Sequence, residues 1–174
     1  MKRRTFVTSA LGIAAATSIP CTRVSAADLP AKTLSGGETM LSDAELKEFG
    51  ESLRGPLLRP SSNGYEQARK VWNGVWNEKR PALVARCSGI KDVVNAVEFA
   101  RTHNLLVALR GGGHSISGKS ICEGGMVIDM SLMDSVHVDP FEKTARVEPG
   151  VLLGALDRAS QHFGLATTAG VVSH

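Results

Sequence analysis

The hydrophobic and polar positions of the 174-residue chain alternate between short apolar runs and polar or glycine-rich stretches. Five runs have the length and apolar composition that predict strands. They cover residues 81–86, 105–109, 126–130, 136–138 and 145–147. Between the first two runs, apolar residues recur on one helical face from Lys91 to His103, which is the pattern of a helix that covers a sheet. This alternation predicts one mixed globular domain, either α/β or α+β.

Three further helices are predicted from their boundaries. Residues 42–45 have the capping-box spacing Ser-x-x-Glu and open a helix that the Gly-Pro pair at 55–56 closes. A second, short helix is predicted over about residues 65–72. A third is predicted over residues 152–161 and ends near Gly164.

The segment from residue 28 to residue 77 is expected to lead into the main domain, which we place at residues 78–174. Residues 28–41 have the composition of a flexible linker. Trp72 and Trp76 lie four positions apart, so on a helix they would share one face. Packing into the core is the role expected for both rings, rather than a platform for a ligand.

The first 27 residues have the pattern of an export signal. Arg3 and Arg4 stand before a hydrophobe, the apolar centre at residues 10–16 is short, and cleavage is expected after Ala26 or Ala27. This centre is far below the ~20 apolar residues of a spanning helix, so stable membrane insertion is not expected. The paired arginines resemble a twin-arginine signal, with an ordinary secretory signal as the alternative. We therefore expect a periplasmic or secreted protein, which leaves the cytoplasm already folded.

Charge and cysteine content narrow the classes of partner. The chain has 20 basic and 17 acidic residues, but four of the basic residues lie in the first 27, so the remainder has 16 against 17, a net charge of −1. Such a balance gives no reason to expect binding to nucleic acid or to an anionic membrane. After the signal, only Cys87 and Cys122 remain, and both a disulfide and two buried free thiols are open.

The strand predicted at residues 105–109 runs into a glycine loop, residues 110–118, with the sequence Arg-Gly-Gly-Gly-His-Ser-Ile-Ser-Gly. Glycines have no side chains to pack, so three in a row indicate backbone freedom and close approach of main-chain N–H groups to another group. Successive amides can form a nest for a phosphate or pyrophosphate. Arg110 adds a positive charge, Ser115 a hydroxyl donor, and His114 a nucleophilic imidazole.

Two common phosphate-binding motifs do not explain this loop. Residues 113–120 satisfy Gly-x-x-x-x-Gly-Lys-Ser, but that chemistry needs a helix beginning at Lys119. The chain instead runs through residues 123–125, Glu-Gly-Gly, into the next strand, which leaves no room for a helix. A Rossmann fingerprint also fails, because glycines are missing at the required third or sixth positions.

Residues 81–174 resemble the start of an FAD-binding domain of the p-cresol methylhydroxylase and vanillyl-alcohol oxidase type, and most closely the bacterial berberine-bridge-enzyme-like oxidases. Several motifs in the same order carry this resemblance over more than half of the chain, and they are residues 110–115, Gly118, residues 124–131, residues 147–151 and residues 164–170. The resemblance implies an α+β domain that binds FAD and that is incomplete at its C-terminus.

In this family the glycine loop binds the FAD pyrophosphate through backbone amides, and the histidine matched by His114 is bonded to the 8α-methyl carbon of the flavin. The segment matched by residues 167–174 also lines the cofactor. The cofactor-binding residues implied in this chain are Arg110, Gly111, Gly112, Gly113, His114, Ser115, Gly118, Asp129, Thr168, Ala169, Gly170 and Ser173. Doubly linked members carry a cysteine just after the matching glycine, whereas residues 171–173 are Val-Val-Ser, so no second link is expected from this stretch. No metal-ligand spacing is found.

The resemblance implies the N-terminal part of an exported FAD-dependent oxidoreductase. Hydride would pass from an alcohol, sugar or amine-type small molecule to the flavin, with molecular oxygen as acceptor. The chain stops where the family continues toward its substrate domain, so the catalytic residues are expected beyond residue 174 and this part alone is expected to be inactive. A non-redox nucleotide- or phosphate-binding module that uses residues 113–120 is the alternative from another functional class.

Overall fold

The computed structural model describes residues 28–170, whose centre is a four-stranded sheet. The strands are β3 (Leu57–Leu58), β4 (Leu83–Arg86), β5 (Val107–Arg110) and β6 (Met126–Asp129), in the order β3-β4-β6-β5. β4 and β5 both pair in parallel with β6, and β3 pairs antiparallel with β4. Helix α3 (Ile90–Thr102) connects β4 to β5. The strands and the helix predicted in this region are confirmed to within two residues at each end.

The two central strands of the sheet, β4 and β6, are buried on both faces. On one face, Leu83 and Ile128 belong to a cluster that includes residues of α3 and of the segment before residue 54. On the other face, Val84 and Val127 pack with Tyr65, which is completely buried. The hydroxyl of this tyrosine donates to the carbonyl of Pro81 at 2.6 Å, so its polar end is satisfied inside the core.

The residues predicted to be a linker form two strands instead. β1 (Leu29–Lys32) and β2 (Glu38–Leu41) pair antiparallel, with Gly36 at φ +86° in the turn. Ala31 and Leu41 are buried in the main core. The backbone of Lys32 also donates to the carbonyl of Gly124 and accepts from Leu106, both at 2.8 Å. These strands are only four residues long and depend on distant partners, so no local periodicity announces them.

Helix α1 (Asp43–Ser52) begins where the capping box predicts. The backbone N–H of Ser42 donates to the carboxylate of Glu45 at 2.8 Å, and the N–H of Glu45 donates to the Ser42 hydroxyl at 3.3 Å. The hydrogen bonds from Ser42 hold the pKa of Glu45 below its ordinary value. Two orphan donors at the start of the helix are thereby satisfied.

Helix α2 (Tyr65–Ala68) is half as long as predicted. The N–H of Val71 donates to the side chain of Asn77 at 3.0 Å, and the N–H of Trp72 donates to the carbonyl of Gly113 at 3.2 Å. Tertiary acceptors therefore take the N–H groups that would continue the helix. The chain turns instead and forms a short 3-10 helix at Gly74–Trp76.

The last described elements are the antiparallel pair β7 (Val136–Asp139) and β8 (Thr144–Val147), followed by α4 (Leu153–Gln161). All three match their predicted positions to within two residues. Between residues 28 and 170, no helix combines the length and the apolar character needed to cross a bilayer. The proposed export signal and Ser173 lie outside the described residues.

Candidate functional site

Three charged side chains form a row at the carboxyl edge of the parallel strands. Arg86, Asp129 and Arg110 occupy the last positions of β4, β6 and β5, and they are paired in register. Since side chains alternate between faces along a strand, the row lies on the face that carries Val84 and Val127. The apolar core of that face therefore ends in a line of two cations around one anion.

Asp129 holds this row together. Its side chain is 1% exposed and accepts from Nε of Arg86 at 3.1 Å and from the backbone N–H of Ser131 at 3.0 Å. Nε of Arg110 lies 4.0 Å from the same carboxylate. Because both oxygens face groups of the chain, Asp129 orients its neighbours, and the direct contact with a cofactor stays a prediction.

Arg110 lies under the glycine loop rather than beyond it. Its guanidinium donates to the carbonyl of Ala68, and its side chain is 17% exposed. Its Nε is buried and has no hydrogen-bond partner within residues 28–170. A Cβ built on Gly113 would lie 3.4 Å from this nitrogen. An unpartnered N–H donor and a positive charge are therefore placed directly against the loop backbone.

The glycines of the loop allow close approach, partly to the protein itself. A Cβ on Gly111 would lie 2.3 Å from the carbonyl oxygen of Pro149, so the loop packs against the turn before α4. Gly113 has φ +75°. Gly118 has φ +67°, and a Cβ there would lie 2.3 Å from the ring of Trp76. These positions exclude side chains for reasons of backbone conformation and packing.

The backbone N–H groups of residues 111–117 are the open part of the site. Among the residues that the structure describes, none of these groups donates a hydrogen bond. Their unpaired state follows from the loop's position, because the parallel ladder ends at the bond from the N–H of Met130 to the carbonyl of Arg110. A run of free amides beside a buried arginine is suited to an anion.

His114 stands at the centre of this run and is half-buried. Its ring stacks on that of Trp72, with a centroid distance of 5.8 Å and an interplanar angle of 15°. Trp72 is 58% exposed, so the expectation that it packs in the core is wrong. Trp76 is half-buried and does pack in the core, against the cluster that contains Tyr65 and Val84. No ring nitrogen of His114 has a hydrogen-bond partner in the described part of the chain, which leaves both available.

Ser115 closes the loop. Its hydroxyl accepts from the N–H of Lys119 at 3.1 Å, and its carbonyl accepts from the N–H of Gly118 at 3.1 Å. Residues 111–125 contain turns and bends but no helix. The helix that a nucleotide-triphosphatase loop needs at Lys119 is therefore missing, and the formal motif match carries no such site.

The C-terminal candidate residues lie beside α4. A Cβ on Gly170 would be 3.4 Å from Leu153, and one on Gly112 would be 3.1 Å from Leu152. The exposed residues Thr168 and Ala169 precede Gly170 along the same segment. The structure therefore brings this segment and the glycine loop to the same end of α4, whose N-terminus has no side-chain cap.

Sequence reasoning missed the tryptophan segment, which we define as residues 72–76. Besides the Trp72 contacts, the side chain of Asn73 and the indole N–H of Trp76 both donate to the carbonyl of Ile116, at 3.1 and 3.0 Å. One clue was present: both tryptophans of the chain lie in these five residues. Their spacing of four is typical of one helical face, whereas the actual partners in the glycine loop are 40 or more positions away.

Cys87 and Cys122 are free and buried, so the disulfide alternative does not hold in this structure. Burial raises the pKa of the Cys87 thiol to about 12 and that of Cys122 to about 11. Neither thiol is a nucleophile at neutral pH. Within residues 28–170 no cluster of His, Cys, Asp and Glu side chains has the arrangement of a metal site.

Residues 81–173 match a family model described as an FAD binding domain. The chain belongs to this FAD-binding family. It is 35% identical over 120 residues to (R)-6-hydroxynicotine oxidase of Paenarthrobacter nicotinovorans, covering 69% of this chain and 26% of that protein. It is 38% identical over 130 residues to an FAD-linked oxidoreductase of Dictyostelium discoideum, covering 74% and 28%. The chain therefore spans about a quarter of the length of these relatives.

Solved structures agree with this assignment. 6-Hydroxy-D-nicotine oxidase from Arthrobacter nicotinovorans superposes with a TM-score of 0.62 at 34% identity, covering 65% of this chain and 25% of that one. A berberine-bridge-enzyme-like protein of Physcomitrella patens gives a TM-score of 0.59 at 28% identity, covering 66% and 26%. The predicted mixed α+β fold of an FAD-binding domain of the p-cresol methylhydroxylase type is confirmed.

The residues of the loop fit the diphosphate of FAD. Among residues 28–170, the amides of residues 111–117 have no acceptor and the Nε–H of Arg110 has no hydrogen-bond partner, so both are available as donors. Arg110 also contributes a positive charge, and the N-terminus of α4, which has no side-chain cap, lies next to Gly112. Gly113 has φ +75°, a backbone conformation that side chains rarely adopt, so the shape of the loop at this position depends on glycine. Donor set, charge and space therefore agree with the cofactor that the family assignment names.

Proposed function

We propose that the chain contributes the cofactor-binding part of an FAD-dependent oxidoreductase. The observation that carries this proposal is the run of amides at residues 111–117, which have no acceptor within residues 28–170 and lie beside Arg110. In the proposal these amides bind the FAD pyrophosphate, and Arg110 offsets its charge from beneath the loop. Gly111, Gly112 and Gly113 allow the backbone approach, while Gly118 and Ser115 close the loop.

We propose further that His114 bonds to the 8α-methyl carbon of FAD. The bond would join an imidazole nitrogen, which the described residues leave unpaired, to that carbon, and one N–H bond of the ring and one C–H bond of the methyl group would break. The two electrons and the two protons released would pass to the flavin ring system, and the proposed acceptor, molecular oxygen, would then remove them. Bound FAD supplies a two-electron hydride acceptor, and an alkyl link to histidine raises its tendency to accept hydride. The chain's part is to hold the cofactor, exclude water from the loop and fix the histidine.

For the reaction, we propose hydride transfer from an alcohol, sugar or amine-type substrate, with molecular oxygen as acceptor. Two similar proteins support this range by their names: a 6-hydroxynicotine oxidase, and a pollen protein, Phl p 4, whose variants are described as glucose dehydrogenase and glucose oxidase. The structural match to the pollen protein has a TM-score of 0.58 at 27% identity. Oxidases and dehydrogenases both occur among these relatives, so oxygen is proposed and not inferred from the fold.

The experiment is a mass measurement on the denatured protein after growth with FAD available. Trypsin cleaves after Arg110 and Lys119, which isolates His114 on a short peptide of residues 111–119. We expect this peptide to carry the mass of one FAD and the yellow colour to survive acid precipitation. His114→Ala should bind FAD reversibly and lose the acid-stable colour. An unmodified peptide from yellow wild-type protein would disprove the covalent bond while leaving FAD binding intact.

We also propose that the protein is exported through its twin-arginine-type leader. Support comes from Arg3 and Arg4 ahead of a short apolar stretch. Replacing both arginines with lysine keeps the charge, so an ordinary secretory route would tolerate the change. Accumulation of uncleaved cytoplasmic precursor in the double variant is the expected result, and unchanged export would contradict the twin-arginine route.

A further inference from the structure

The hydrogen bonds that the described structure shows from the tryptophan segment to the glycine loop all go to carbonyl groups of the loop. The N–H of Trp72 donates to the carbonyl of Gly113, and the side chains of Asn73 and Trp76 donate to the carbonyl of Ile116. In a trans peptide the C=O and the N–H point in opposite directions. Three donors on one side of the loop therefore direct the N–H groups of the next residues, His114 and Ser117, to the other side.

The packing of Trp76 reinforces this arrangement. Its ring occupies the space that a side chain at position 118 would need, so Gly118 and the indole fit against each other. The ammonium of Lys79 lies over the same ring, 4.5 Å from its centroid. The C-terminal end of the glycine loop, at Gly118, is thus packed against the half-buried ring of Trp76. Together with the hydrogen bonds to the carbonyls of Gly113 and Ile116, this contact fixes the orientation of the peptide groups in the loop.

Trp72 acts on His114 rather than on the backbone. More than half of its surface is exposed, and its aromatic partner in the described chain is the imidazole of His114. The angle of 15° between the two rings makes the contact a stack, which fixes the plane of the imidazole. The lone pair of a ring nitrogen lies in that plane, so the stack also fixes the direction in which the nitrogen attacks.

We propose that residues 72–76 are a positioning element for the cofactor site, in which Trp72 aims the imidazole of His114 while Asn73 and Trp76 orient the amides of the loop. This inference rests on the proposed FAD function and assigns roles to residues outside the matched domain. The two roles are separable: loss of the Trp72 ring should impair bond formation at His114, and loss of the donors to Ile116 should impair reversible binding.

The test compares Trp72→Ala, Trp72→Phe and the pair Asn73→Ala and Trp76→Phe. Reversible affinity is measured in a His114→Ala background, and formation of acid-stable flavin is followed over time in the His114 protein. Trp72→Ala should slow bond formation roughly tenfold and change reversible affinity less than about threefold, since its backbone N–H remains. Trp72→Phe keeps a flat ring and should stay within about threefold of wild type in both.

The donor variants should show the opposite split. Trp76→Phe keeps the ring against Gly118 but loses its indole N–H, so with Asn73→Ala it should weaken reversible FAD binding roughly tenfold. The imidazole proton resonances of His114 provide a readout without FAD, because removal of the Trp72 indole removes its ring current. Unshifted resonances, or a Trp72→Ala protein that links FAD as fast as wild type, overturn the inference alone. A wild type that holds FAD and never links it overturns the covalent proposal, and the role of Trp72 falls with it.

Discussion

Two loops leave the carboxyl edge of the same parallel sheet, and they treat their backbone amides in opposite ways. After β4, the N–H of Ser88 donates to the carboxylate of Asp92 at 2.9 Å, and the N–H groups of Arg54 and Gly55, in the segment that follows α1, donate to the same carboxylate at 3.2 Å. After β5, the amides of residues 111–117 have no acceptor among the described residues. The loop after β4, which we call the closed loop, therefore binds an anion of the chain itself, the carboxylate of Asp92. The loop after β5, which we call the open loop, also follows an arginine at the end of a strand, but the described residues place no anion against its amides.

The contacts of Asp92 in the closed loop show how backbone N–H groups stabilise an anion at this edge of the sheet. Asp92 lies in the first turn of α3 and its side chain is fully buried. Burial acts to raise the pKa of Asp92, and the hydrogen bonds from Ser88, Arg54 and Gly55 outweigh it, so the pKa falls below the ordinary value. A buried carboxylate is therefore held as an anion mainly by three backbone N–H donors, together with the hydroxyl of Ser88 at 3.0 Å and the guanidinium of Arg54 at 3.7 Å. A phosphate on the glycine loop would receive the same kind of support.

The largest effect is expected from breaking the open loop at Gly118. Gly118→Ala places a Cβ at positive φ and 2.3 Å from the Trp76 ring, so it should lower the free energy of unfolding by about 3 kcal/mol. It should also weaken FAD binding. Gly36→Ala is the matched control, because Gly36 also has positive φ but no atom within 4 Å, and it should cost only about 1 kcal/mol. Urea unfolding of both variants measures the difference, and equal losses would contradict the packing argument.

The next effect comes from breaking the closed loop. Asp92→Asn replaces one acceptor oxygen with a donor amide that faces backbone N–H groups, so the free energy of unfolding should fall by about 2 kcal/mol. FAD affinity should stay close to wild type, since the glycine loop is untouched. A loss of FAD affinity as large as that of Gly118→Ala would show that the two loops are not independent.

A smaller effect with a defined sign is expected from pH. The pKa of Asp92 in the folded chain is below its reference value of 3.8, so this carboxylate stabilises the fold above that pH and its contribution is lost as the pH falls through the folded value. The stability difference between wild type and Asp92→Asn should therefore be full at about pH 7 and narrower at about pH 3. A difference that is constant with pH would mean that the loss arises from packing and not from the charge.

The smallest effect is expected at Lys119. Its N–H closes the loop, but its side chain is exposed and no helix begins there. Lys119→Ala should change FAD affinity by less than about twofold, because an exposed cation contributes little. Equilibrium titration with FAD gives the comparison, with Gly118→Ala as the positive control. A tenfold loss would revive the phosphate-loop alternative at residues 113–120.

The predictable part of the fold is the part whose pattern is local. The apolar runs of β4, β5 and β6, the helical face of α3 and the capping box at Ser42 each carry their own periodicity or spacing. β1 and β2 do not, because their place depends on bonds to Leu106 and Gly124. The helix predicted to reach Trp72 ends early for the same reason, since Gly113 takes the N–H that would extend it.

In the candidate site, too, the features with a local sequence pattern were predictable and those that depend on distant partners were not. The glycine loop and His114 stand out as a motif in the sequence, and the buried thiols were one of two open alternatives. The row of Arg86, Asp129 and Arg110 becomes visible only when the strand register aligns its members, and that register is a property of the sheet. For Trp72, no local pattern in the sequence distinguishes a ring that stacks on a histidine from a ring that packs in the core.

The placement of the aromatic residues gives the chain a built-in optical probe. Its two tryptophans both touch the glycine loop, while its single tyrosine is completely buried in the core of the sheet. Indole fluorescence therefore reports on the loop, and the tyrosine reports on the sheet. Flavin absorbs where indole emits, so energy transfer from these two rings would register the flavin ring of a bound cofactor, without any introduced label.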